Sequence, residues 1–291
     1  MKPILGALAK VIGYFAAFFT SMVLAIIPMQ LIFGDSESLG TRLELLWFTI
    51  PVLVGAVVVN LSMAWLGKSK LVRLGWPDRQ VFLRWFGIGT LIGLVMAGSI
   101  LVFIWATGGG QFIIDNGKLS QYLSYVLPLV GCLLILALCE EWIFRGYPLS
   151  VLSPVLGRGW ANLFVALFFT LSHWGDNGWN LLVVVNLILF SLVNGALRYS
   201  QGGIVAAWAF HFSWNTIQVL AGAIMSGDDF EVPWVHFTGQ GPYWLSGGEF
   251  GPEGSIITTV VAIIGFVLVR KFLRQEENNP IHIDTSLTAY E

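Results

Sequence analysis

The sequence predicts an all-α, polytopic transmembrane bundle of about eight spans, with the N and C termini cytoplasmic. Three observations predict it. First, 56% of the 291 residues are hydrophobic and only 11% are charged, whereas a soluble domain carries about a quarter charged residues to satisfy water. Second, the charges gather in short connections between long apolar runs. A bilayer asks for about 20 apolar residues per helix, and open sheet edges cannot exist in lipid, so those runs read as helices. Third, the basic residues alternate in side along the chain. With the N-terminus inside and eight crossings, 13 of the 15 Lys and Arg residues lie on the inner side, and only Arg42 and Lys118 lie outside. That is the asymmetry expected of cytoplasmic loops. The net charge of −2 and the absence of a basic stripe give no footing for nucleic acid.

The spans follow in order. The first run, 11–33, lacks a small-residue cleavage site and reads as a retained anchor rather than a cleaved signal peptide. Runs 45–66 and 85–107 are each long enough to cross. Run 122–153 is longer and holds Cys132 and Cys139. These lie about two helical turns apart, too far for a disulfide within one helix, and read as packing residues. Run 160–174 is short, 179–197 is interrupted by Asn186 and Asn194, 204–225 is a full span, and 256–270 is again short. Segment 226–254 carries five carboxylates and no Lys or Arg, and is rich in Gly and aromatics. It reads as an outer flap at the membrane interface. The chain is therefore one multi-pass domain over 1–274, with 275–291 a flexible cytoplasmic tail.

Three places set titratable or amide groups inside apolar runs, where they are costly and usually functional. They are Glu140-Glu141 with Arg145, Phe169 with His173, and His211 with Asn215. Glu141 and Arg145 are four residues apart and can pair on one helix face, while Glu140 is turned about 100° away. His211 and Asn215 share one stripe by the same spacing. Glu140 and His173 stand about equally far from the turn near 156–158, so an antiparallel hairpin brings them to one level, roughly 15–25 Å from that turn. A carboxylate and an imidazole sharing a water form a general-base pair. An imidazole and an amide aimed at one point can stabilise an oxyanion. Ser172 and Ser213 neighbour the histidines but point away from them, so neither reads as a nucleophile. Taken singly, each motif also has a plain structural reading, as an ion pair, a capped histidine or a polar interhelical contact.

The ordered set EExxxR, FxxxH, HxxxN resembles the CPBP family, which includes the type II CAAX prenyl proteases and the bacterial Abi proteins. The resemblance covers about 120–225. It implies an intramembrane endopeptidase acting near the cytoplasmic membrane face. Glu140 and His173 would activate water, His211 and Asn215 would form the oxyanion site, and Glu141, Arg145 and Phe169 would support them. The ranking of the two glutamates stays open. No metal is expected; the alternative is Zn²⁺ on Glu140, His173 and His211. The partners implied are the lipid bilayer and a peptide or membrane-protein substrate, in a prokaryotic plasma membrane. Two other readings of the same groups are a non-catalytic scaffold or immunity protein and a proton-coupled transporter.

Overall fold

The computed structural model describes residues 2–34, 41–66 and 75–278. Helix α1 (Lys2–Phe33) packs against α2 (Thr41–Leu66), and α3 (Phe82–Ala106) follows a short 3₁₀ turn. Then come α4 (Leu119–Glu141), α5 (Tyr147–Leu156), α6 (Arg158–Leu171), α7 (Leu181–Arg198) and α8 (Gly203–Leu220). The short α9 (Tyr243–Ser246) and long α10 (Ile256–Asn278) complete the helices. Strands β1 (Gly110–Ile114) and β2 (Val235–Gly239) pair antiparallel, with Phe112 opposite Phe237. The all-α expectation thus gains a two-stranded ribbon. It lies in the connections, where water can satisfy its edges, and joins the α3–α4 link to the expected outer flap.

Each expected span is a helix, but six helical segments are long and apolar enough to cross a membrane by length and composition. Two fall short. Helix α6 has only 14 residues. Helix α8 has 18, but carries His211, Asn215, Thr216 and Gln218. Its polarity is tolerable because 14 of those residues are buried inside the protein, so the helix barely meets lipid. The outer helices show the reverse pattern. Leu31 is 83% and Leu268 59% exposed, as lipid-facing side chains should be.

Helix α8 is held centrally by α3. Gly89 and Gly93 lie one turn apart and face the α8 backbone. A Cβ on Gly89 would collide with the Ala206 carbonyl, and one on Gly93 with the Phe210 carbonyl and Ser213. Small residues at this spacing let two membrane helices approach backbone to backbone. Helix α10 runs to Asn278, beyond the point where the membrane domain was expected to end. The rest of the expected tail, 279–291, lies outside the described residues, as do Lys68, Lys70 and Arg73.

Candidate active site

Run 122–153 is one continuous helical path with a defect beside the EExxxR motif. A π-helical turn, Trp142–Gly146, separates α4 from α5. Pro148 explains it. A proline has no N–H to give and crowds the carbonyl four residues back, so the α ladder cannot pass through it regularly. The widened turn absorbs this, and Gly146 takes a backbone angle (ψ −101°) outside the helical range. The EExxxR motif straddles the junction, with both glutamates ending α4 and Arg145 inside the π turn.

The two glutamates have different surroundings. Glu141 is completely buried, and its Oε1 accepts from Arg145 Nη1 at 3.0 Å and from His211 Nδ1 at 2.8 Å. Arg145, equally buried, also donates through Nη2 to Ser191 Oγ at 2.6 Å. Its guanidinium lies 4.4 Å from the centre of the Phe169 ring. Glu140 instead leaves 22% of its side chain exposed and sets Oε2 3.9 Å from His211 Nε2. The two glutamates thus differ in placement: Glu141 is tied into the core, and Glu140 faces the cavity.

His173 lies beyond the end of α6, in the turn leading to α7, rather than on the helix. The helix stops at Leu171, and Ser172 caps its own last turn by donating to the Phe169 carbonyl at 2.7 Å. His173 Nδ1 sits 2.9 Å from that carbonyl. A carbonyl only accepts, so Nδ1 carries the proton and Nε2 holds the lone pair. The Phe169 ring lies tilted against His173, centres 4.7 Å apart, and edges towards His211 at 6.2 Å. Phe169 is thus a buried spacer between the arginine and both imidazoles. Ser213 hydrogen-bonds to its own helix backbone, as expected of a residue facing away from the site, whereas Ser172 lines the cavity with Oγ 3.4 Å from His173 Nδ1, contrary to expectation.

Glu140, His173, His211 and Asn215 line one cavity of about 510 Å³. Its opposite wall is apolar: Phe18, Phe19 and Met22 of α1, with Leu45, Phe48 and Val52 of α2. The polar end, taken as its mouth because Asn177 and Asp228 are exposed there, carries Asp176, Asn177, Ser226 and Asp228. Burial raises the Asp176 carboxyl above its usual range; His173 pulls it down, and Asp228, Glu140 and Glu253 push it further up. Burial and then Glu44 raise Asp228. Sequence reasoning found none of these wall and mouth residues. The apolar ones look like any lipid-facing side chain, and the polar ones sit in connections.

The placement along the bundle differs from expectation. Glu140 and His173 line one cavity, but its mouth belongs to the connections 172–180 and 225–228. Those lie at the end opposite Arg158 and Arg198, so the site is not in the half nearest the basic turns. The reason is arithmetic: α6 alone spans about 21 Å, which carries His173 most of the way across a core about 30 Å thick. Among the described residues no group of three or more His, Cys, Asp or Glu side chains converges as a ready-made metal site.

Residues 122–217, about a third of the chain, match a family model described as type II CAAX prenyl endopeptidase Rce1-like. The match supports a CPBP/CAAX protease assignment for that stretch. No curated protein matches it. The CPBP/CAAX match spans α4 to α8 and includes all three polar motifs, but stops short of α1, α2 and the loop at 225–228. Nearly half of the cavity's lining residues therefore come from chain outside the matched stretch.

Proposed function

We propose that this protein is an intramembrane endopeptidase that hydrolyses a peptide bond with a water activated by Glu140 and His173. One observation carries this reading: Glu140 of α4, His173 of the α6–α7 turn, and His211 and Asn215 of α8 line a single cavity within an apolar bundle. The lone pair of His173 Nε2 and the carboxylate of Glu140 accept the protons of one water, and Glu140 takes a proton as the water attacks the scissile carbonyl carbon. The oxyanion formed receives hydrogen bonds from the Asn215 amide and from His211 Nε2. For that, the His211 ring holds both protons, with Glu141 at one end and Glu140 at the other to balance its charge. The proton on Glu140 then passes to the departing amine as the C–N bond breaks. Glu141 and Arg145 touch no substrate and set the orientation of His211. The mechanism uses no metal.

The substrate is a peptide or membrane protein that reaches the cavity from the bilayer, with its apolar part against α1 and α2. The chain crosses a prokaryotic plasma membrane eight times with both termini cytoplasmic, α8 crossing inside the protein. In that orientation the cavity mouth opens towards the outer face. The test is cleavage of membrane peptides by purified protein in vesicles. Glu140→Gln and His173→Ala should each abolish cleavage while retaining the wild-type elution volume and helical spectrum. Wild-type rates in either variant would overturn the assignment. A full biological effect from a variant that cleaves nothing would favour the scaffold reading instead.

A further inference from the structure

A second cavity, of about 460 Å³, opens at the end of the bundle away from the active site. Its chemistry is unlike the first. Arg158 and Asn162 of α6 line one side, Arg270 and Arg274 of α10 the other, and Tyr199 and Gln201 of the α7–α8 turn close it. Arg158/Asn162 and Arg270/Arg274 are each four residues apart, so two helix stripes face each other across the space. The Arg158 guanidinium lies 5.5 Å over the Tyr199 ring, which holds one of the three cations in place. Helix α6 also begins here, with Gly157 as an N-cap that offers no side-chain acceptor. Its first N–H groups and the positive end of its dipole add to the guanidinium charge.

We infer that this cavity binds a phosphate-bearing anion, and that the anion is the headgroup of an acidic phospholipid. Guanidinium forks match phosphate oxygens in geometry as well as charge. The choice of a lipid over a soluble phosphate rests on α10. Ile263, Val267, Arg270 and Arg274 fall on one helix stripe, with Ile263 48% and Val267 58% exposed. A headgroup held by the arginines therefore has an apolar track for its acyl chain leading directly from the cavity into the bilayer. Basic pockets between helices at a membrane surface suit such headgroups. The ligand would join α6 to α10, each of which packs against α7.

The experiment is native mass spectrometry of the full-length protein released from vesicles of phosphatidylcholine with or without phosphatidylglycerol. Wild-type protein should retain one phosphatidylglycerol in preference to phosphatidylcholine. Arg270→Gln/Arg274→Gln should bind it on the order of thirtyfold more weakly, the loss of two headgroup-facing charges. A charge-matched control, Arg84→Gln/Lys271→Gln, removes two cations that do not line the cavity, and should retain the lipid. Equal loss in the control would show diffuse surface attraction and overturn the site. Retention without preference in the wild type would overturn it too. Displacement of the lipid by inorganic phosphate, with the same rise in melting temperature in pure phosphatidylcholine, would overturn the lipid and leave a soluble phosphate as the ligand. The single variants Arg270→Lys and Arg274→Lys keep the charge, and should recover most of the binding if the double glutamine variant folds poorly.

Discussion

At the scale of single residues, adjacency in sequence hides opposite circumstances. Glu140 and Glu141 differ by one step of the helix, about 100°, and that step sends one carboxylate to a cavity and the other into a dry core. A buried carboxylate is tolerable only when paired, and Glu141 has both Arg145 and His211. Removing it leaves the fully buried Arg145 guanidinium without its counter-ion. Glu141→Ala should therefore cost about 3–5 kcal/mol of stability. Glu140→Ala, removing a partly exposed group, should cost far less. Melting curves of the two purified variants check this; equal destabilisation would contradict the division of roles. The i,i+4 spacing made the Glu141–Arg145 pair legible in the sequence. The His211 contact was not legible, because 70 residues separate the partners and no local period relates them.

At the scale of elements, the site depends on segments that carry no motif. Glu253 illustrates this. It sits in the loop before α10, nearly buried, with Oε1 accepting from Trp214 Nε1 at 2.6 Å. Its Oε2 accepts from the Ser226 N–H and hydroxyl, both at 2.8 Å. One carboxylate thus ties the cavity's mouth at Ser226 to the α8 residue beside Asn215. Glu253→Ala should leave these donors unpaired and cost about 3 kcal/mol. Limited proteolysis should then cut within 226–254 faster than in the wild type, with cleavage activity reduced but not abolished. Unchanged protection would mean that the loop is held by its other contacts, such as the β1–β2 pairing. In sequence this glutamate is one of five acidic residues in an outer segment, and nothing in its spacing distinguishes it from the solvated ones.

At the scale of the whole molecule, the bundle is polarised. Basic residues and the second cavity occupy one end; the candidate active site opens at the other. If the basic end is cytoplasmic, a thiol-reactive, membrane-impermeant maleimide should label Gln240→Cys in intact cells and leave Gln201→Cys unlabelled until the membrane is opened. Both positions are exposed, and the natural Cys132 and Cys139 are buried, so background labelling should be low. The reverse pattern would invert the proposed orientation and turn the mouth of the cavity to the cytoplasm.

The sequence alone determined the solvent, the helical character and the polar triad. Each rests on local quantities: the charge content of a run, its length against a bilayer, and a spacing of four within one helix. Only the tertiary structure decided which glutamate faces the cavity, that His173 sits past its helix, and that α1 and α2 supply the apolar wall. It also decided that the polar helix α8 sits at the centre, where Gly89 and Gly93 let α3 close upon it. The physical reason is the membrane. Lipid is as apolar as the protein core, so hydrophobicity marks a span without saying which face turns inward. That choice is made by close packing and by the pairing of buried polar groups between helices far apart in sequence.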